Sequence, residues 1–129
     1  MAIAGEDFLE SANRSLDEGD EVGFRNAISR SYYAMYHKVL SIITSDIPRY
    51  SGGGVHSSLL SYLEHSAIGE PYDSREMKKF SYMLKASRDL RCLADYEIGR
   101  DDISRVMAED ALLRAKKLIE RCTELKDAA

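Results

Sequence analysis

The sequence predicts an all-α fold, a compact up-and-down bundle of about five helices. Three observations carry that expectation. Apolar residues recur at three- and four-residue spacing through five stretches, the period of a helix with one buried face. No Val- or Ile-rich alternating run competes as a strand. Most glycines and both prolines of the 129-residue chain fall at a few breaks: Gly5, Gly19, Pro48 with Gly52–Gly54, Gly69 with Pro71, and Gly99.

The elements follow in order. Residues 6–17 form an acidic first helix, closed by the Asp17-Glu18-Gly19-Asp20 turn. The second helix covers 21–45, with Asp20 as N-cap and Ile28, Tyr32, Met35, Val39 and Ile42 on its core side. The third covers 55–67. The fourth covers 74–97, capped by Ser74, with Phe80, Met83, Leu84, Leu90, Leu93 and Ala94 inward. The fifth covers 102–126, capped by Asp101 or Asp102. Its stripe is Ile103, Met107, Ala111, Ala115, Leu118, Cys122 and Leu125. One domain, 1–129, is expected, with the core bundle over 21–126. At this length it buries roughly two-thirds of the surface its unfolded chain exposes.

Composition excludes several classes. At 44% hydrophobic residues and two prolines the chain is neither disordered nor a linker. Cys92 and Cys122 cannot make a disulfide scaffold and read as small core residues. No apolar run reaches the roughly 18 residues of a membrane span, and residues 1–7 lack a signal peptide's basic start and apolar core. A cytoplasmic protein is the expectation. The net charge of −4 divides unevenly. Residues 1–21 hold seven acids against Arg14, a net −6, so the remainder carries +2 and the acidic total does not argue against a nucleic-acid partner.

Two polar ridges offer chemistry. On the second helix Asn26, Arg30, Tyr33 and His37 share a face opposite the core. Amide, guanidinium, phenol and imidazole suit phosphate or base recognition, and equally an ordinary solvated face. On the fourth helix Leu84, Arg88, Arg91 and Asp95 form a ridge that ends beside Tyr96. It reads either as an anion pocket or as a surface ion pair worth about 0.3–0.5 kcal/mol. Six bases stand against two acids in residues 75–91, spread around the helix. On the fifth helix Arg114, Lys117 and Arg121 are interleaved with acids and read as a solvated face.

Several chemistries lack their residues. There is no Glu-x-x-His pair for a di-iron site, no Cys-x-x-Cys or His-Glu-x-x-His for zinc, and no Gly-x-Ser-x-Gly for a hydrolase triad. No metal or cofactor is expected. Gly52–Ser58 opens a helix but has no phosphate-loop lysine and follows no strand, so it reads as a loop.

Three stretches together resemble one family. Ser29-Arg30-Ser31-Tyr32-Tyr33-Ala34-Met35-Tyr36-His37 resembles the second-helix signature of HEPN domains. Arg91-Cys92-Leu93-Ala94-Asp95-Tyr96 is similar to the Arg-x-x-Ala-Asp-Tyr signature of the same branch. Val55-His56-Ser57 lies where that branch has a His-Ser pair. The resemblance spans nearly the whole chain. It implies a helical bundle, usually homodimeric. It also implies roles as metal-independent ribonucleases in toxin–antitoxin pairs, antiviral defence and RNA processing. Some members pair with a nucleotidyltransferase antitoxin, and others bind nucleotides or proteins without catalysis.

The chain departs from the family's nuclease hallmark, Arg-x4-6-His. Arg91 fits the arginine, but after four intervening residues stands Tyr96. Tyrosine ordinarily ionises near 10 and is a poor general base at neutral pH, though it can donate or stack. By this resemblance Arg91, Tyr96 and His37 are the candidate catalytic residues. Asn26, Arg30, Tyr33, Arg88, Asp95 and His56 are the candidate RNA- or nucleotide-binding residues. Whether His37 joins Arg91 in one cleft is left to the structure.

Overall fold

The Asp20 carboxylate accepts from the Gly23 amide at 2.7 Å and so starts the longest run of buried positions in the chain. The computed structural model describes residues 2–49 and 54–129. Its helices are α1 (Gly5–Asp17), α2 (Glu21–Ile42), α3 (Val55–Ser61), α4 (Ser74–Tyr96) and α5 (Arg105–Ala128), and no strand occurs among the described residues. The architecture is the expected all-α bundle. α2 is its axis, packed against α1, α4 and α5. No described helix is long and apolar enough to cross a membrane. Of the expected Gly52–Gly54 loop, Gly52 and Gly53 lie outside the described residues; Gly54 is the N-cap of α3.

One core cluster joins Tyr32, Met35, Val39 and Ile42 of α2 to Leu59, Phe80, Leu84, Leu118 and Cys122. A second gathers Ala27, Ile28, Ala94, Ile103, Ala108 and Ala111 at the other end of α2. The expected core of α2 and the stripe of α5 are buried or half-buried throughout. Cys122 is fully buried, which pushes its thiol up to about 12. Cys92 corrects the sequence reading: it is half-exposed, beside Arg91, and not in the core.

Helix ends differ from expectation for local reasons. α2 stops at Ile42 rather than residue 45, because the Thr44 amide and hydroxyl both donate to the Glu70 carboxylate at 2.8 Å. The segment expected as one helix over 55–67 is α-helical only to Ser61. A π-helical turn, Tyr62–Ser66, and a 3₁₀ turn, Ala67–Gly69, carry it onward. Asp73, not Ser74, caps α4 by accepting from the Arg75 amide. Ser104, not Asp101 or Asp102, caps α5. Asp102 is engaged by Arg100, and Ile103 beside it is buried as a plug in the second cluster.

α1 lies close along α2. Gly19, at φ +75°, closes α1 in the left-handed conformation that favours glycine. Lys38 of α2 pairs with Glu6 of α1 at 2.9 Å. At Gly23 an added Cβ would stand 2.4 Å from the Ser15 carbonyl oxygen. Gly23→Ala gains about 1 kcal/mol of helix propensity but forces the two backbones apart. It is expected to lower stability by about 1–2 kcal/mol net. Urea denaturation checks this; unchanged or higher stability would show that α1 yields at no cost.

Candidate functional site

A ridge of α2 at four-residue spacing, Arg25, Ser29, Tyr33 and His37, positions the site. Its first three members meet α4 in descending order. Arg25 reaches the carbonyls that end α4, Ser29 donates to Asp95 at 3.1 Å, and the Tyr33 hydroxyl accepts from Arg91 at 3.2 Å. α2 and α4 therefore cross antiparallel, with Arg91 between them. The fourth member, His37, turns to α1 and stacks on Phe8, ring centroids 5.0 Å apart.

Arg91 is the centre of the arrangement, its side chain only 11% exposed. One amino group donates to Asp95 at 3.1 Å and to Tyr33; the other reaches the Cys92 sulfur at 3.6 Å. Its guanidinium carbon lies 5.5 Å from the ring centres of Tyr32 and Tyr33 and 5.8 Å from that of Tyr96. Burial works against the charge, but Tyr96, Tyr33, Cys92 and Asp95 outweigh it and raise the pKa above the ordinary arginine value. Arg91 Nε is buried and has no hydrogen-bond partner. A buried N–H with nothing to donate to is costly.

α3 supplies the opposite wall. His56 Nδ1 shares a 2.7 Å hydrogen bond with the Tyr32 hydroxyl. Arg88 donates to the Ser57 hydroxyl at 3.2 Å. The His56 ring packs 4.4 Å from Tyr36, with Tyr32 and Tyr33 also in its ring contacts. Burial pushes the Tyr32 phenol up to about 12, so it keeps its proton. Burial, then Arg88, Arg91 and His37, hold His56 below the ordinary histidine range. Where the phenol donates to Nδ1, the neutral ring carries its own proton on Nε2; where Nδ1–H donates to the phenol, Nε2 is the acceptor.

The structure thus gathers Arg91, Tyr96, Tyr33, Asp95, Arg88 and His56. His37 joins through Tyr33, whose ring lies 6.5 Å from its own, and not by a hydrogen bond to Arg91. Arg30 is exposed and lines a groove with Ile3, Asp7, Phe8 and Ser11, on the α1 side of the ring cluster. Asn26 is exposed one turn earlier. Spacing and resemblance do not single out Arg25, Ser29, Tyr32, Tyr36, Ser57 and Phe8 as site residues, and the structure adds them. Tyr32 has a dual position: its ring is core, its hydroxyl is in the cleft. An apolar cavity of about 560 Å³ lies elsewhere, between α2, α4 and α5. Met35, Met83, Leu90 and Met107 line it, and its charged pair Asp110–Arg114 is already joined, so it offers little to an anion.

The low His56 pKa has a readable consequence. The unfolded imidazole takes a proton near 6.5 and the folded one resists it, so stability falls as pH drops below about 6.5 toward the folded value. Glu6, Glu70 and Glu76 act in a separate window. Lys38, the Tyr62 and Thr44 hydrogen bonds, and Arg121 respectively hold their carboxyls below the usual 4.5, against the opposing effect of burial that is largest at Glu70. Their contribution is lost only as pH falls through that lower range. His56→Gln is expected to flatten the stability profile between pH 6.5 and 5 while leaving the acid limb in place. Denaturation series across pH check it; an unchanged profile overturns it.

Fold and site define a small helical-bundle protein built around an arginine held among aromatic rings where two antiparallel helices cross. The chain belongs to the HEPN-domain family, whose model matches residues 4–125. HEPN domains are generally associated with ribonuclease or nucleotide-binding roles and often form homodimers. No curated protein and no solved structure matches the chain significantly.

Proposed function

We propose that this protein binds RNA in the Arg91 cleft and cleaves it without a metal, as a cytoplasmic homodimer in a toxin–antitoxin or antiviral-defence setting. The observation that carries the reading is Arg91 held among Tyr32, Tyr33 and Tyr96, with Arg88 and a neutral His56 beside it. Arg91 and Arg88 offset charge on a phosphodiester, and such electrostatic stabilisation contributes most of the rate gain in many enzymes. Asp95, fixed by Ser29, orients Arg91. Tyr33 and Tyr96 give rings for base stacking, and Tyr96 also a donor. His56, with the Tyr32 phenol donating to Nδ1, presents an Nε2–H to a phosphate or leaving oxygen. His37 and Arg30 form the outer wall toward α1. The RNA 2′-hydroxyl oxygen attacks the adjacent phosphorus as its bond to the 5′-oxygen breaks, giving a 2′,3′-cyclic phosphate; the hydroxyl proton passes to water and the 5′-oxygen takes one from water.

A second reading is favoured by one feature. Tyr96 stands where the nuclease hallmark has histidine, and both amino groups of Arg91 already have partners. The same cleft then holds a nucleotide without chemistry, in a regulatory partner of a nucleotidyltransferase or another defence protein. Purified protein and its Arg91→Ala, His37→Ala and His56→Ala variants, incubated with RNA in chelator, separate the two. Cleavage by wild type that Arg91→Ala abolishes supports the first. Nucleotide binding with no cleavage selects the second, and equal cleavage by all four proteins sinks the enzyme reading.

A further inference from the structure

Arg75, Lys78, Tyr82, Lys85 and Asp89 recur along α4 at three- and four-residue spacing and are all exposed, so they share one face, with Lys79 on its flank. This refines the sequence view that the α4 bases spread around the helix. Tyr82 is 69% exposed and Tyr96, farther along the helix, 71%, so neither ring is spent on the core. Among the described residues, Lys78, Lys79 and Lys85 have no ion-pair partner, and Arg75 has only Asp73 at 3.9 Å. Elsewhere Arg114 pairs with Asp110, Arg121 with Glu76 and Glu124, and Lys38 with Glu6, while Arg14, Arg30, Lys116, Lys117 and Lys126 are also without an ion pair among the described residues. What sets this α4 face apart is that its free bases line up with an exposed tyrosine. Glu76 faces α5 through Arg121, which leaves Asp89 as the free acid on this face of an otherwise acidic protein.

We propose that this face of α4, on the far side of the helix from Arg91, is a track for single-stranded RNA, an inference resting on the RNA reading of the Arg91 cleft. The track turns into that cleft at Tyr96, which shares the face and whose ring lies 5.8 Å from the Arg91 guanidinium. Arg75, Lys78 and Lys85 contact phosphates, and Tyr82 and Tyr96 stack bases. From Arg75 to Tyr96 the helix runs about 30 Å at 1.5 Å per residue, enough for several nucleotides. Lysines interleaved with isolated phenol rings suit a sequence-tolerant strand. A membrane-surface helix would instead expose a continuous aliphatic face, which these positions lack.

The test is fluorescence anisotropy with a uridine dinucleotide and a uridine oligomer of about ten nucleotides, at several salt concentrations. Wild type is compared with Lys78→Glu/Lys85→Glu, Tyr82→Ala and Arg91→Ala. The oligomer is expected to bind more tightly than the dinucleotide. The double variant is expected to remove that gain and reduce the salt slope by about 1.5. Tyr82→Ala is expected to weaken the oligomer about tenfold, and dinucleotide binding to follow Arg91 alone. Oligomer binding indifferent to Lys78, Tyr82 and Lys85 overturns the track while leaving the cleft reading intact, provided that Arg91→Ala still removes the dinucleotide. No binding of either RNA removes both readings. A double variant that changes only the oligomeric mass, or only binding to phosphatidylserine vesicles, assigns the face to a second copy or a membrane and overturns the track.

Discussion

Arg91→Ala is expected to lower RNA cleavage, or binding where cleavage is absent, by at least about a hundredfold. Removing one preorganised donor from developing phosphate charge typically costs about 10²–10³ in rate. Here the loss is the guanidinium that lies against Tyr32, Tyr33 and Tyr96 together. Arg91→Lys separates charge from geometry. Lysine keeps the charge but cannot donate to Tyr33, Asp95 and a ligand from one rigid plane, so most of the loss is expected to remain. Asp95 keeps its Ser29 hydrogen bond in either variant, which limits the effect on folding. Turnover and titration with RNA, read beside a thermal melt, check this. Activity within about threefold of wild type would falsify the central role of Arg91.

What the sequence made legible follows from how local each signal is. Helix periodicity depends on burial every third or fourth residue, so α2, α4 and α5 and their core faces could be read directly. Ends were less legible. α2 stops where Glu70, 26 residues on, takes the Thr44 amide, a contact no local propensity encodes. α5 starts late for a local reason: Arg100 engages Asp102 two residues on, and Ser104 is left as the cap, a choice among neighbouring cap candidates that residue type alone does not make.

The cleft was half legible for a similar reason. The motif residues Arg91, Asp95, Tyr96, Tyr33 and His56 are visible as types, and the resemblance placed them. The polar stripe on α2 was read as Asn26, Arg30, Tyr33 and His37, whereas the ridge that meets α4 and α1 is Arg25, Ser29, Tyr33 and His37. Half of that ridge lies one residue away from the expected stripe. The available signal was an arginine set between the inward positions Gly23 and Ala27. A charged residue there must find buried partners, and the carbonyls ending α4 are such partners.

That arginine carries the largest expected effect on stability. Arg25 is 8% exposed and donates to three carbonyls: Ala94 at 3.0 Å, Glu97 at 3.2 Å and Arg100 at 2.9 Å. The Ala94 and Glu97 oxygens lie at the end of α4, where a helix leaves acceptors unpaired and its dipole favours a cation, and the Arg100 oxygen lies in the turn beyond it; the Glu97 oxygen also accepts from the Arg100 amide. Arg25→Ala takes a donor from all three in a partly buried position and removes the stem packed beneath them. The expected cost is about 3 kcal/mol, a fall in Tm of about 10 °C for a chain of this size. Arg25→Met restores most of the volume and none of the donors, so it should recover well under half of the loss. Arg25→Lys restores the charge without the planar fork that spans three carbonyls, and should fall between wild type and alanine. Asp95 and Tyr96 lie within the turn that Arg25 ties down, so RNA affinity should fall with stability in the alanine variant even below its melting range. Calorimetry and RNA titration on the four proteins test both parts. A melting temperature unchanged by Arg25→Ala would mean that water satisfies the α4 carbonyls as well as the guanidinium does, and that Ser29 and Tyr33 alone hold the cleft in register.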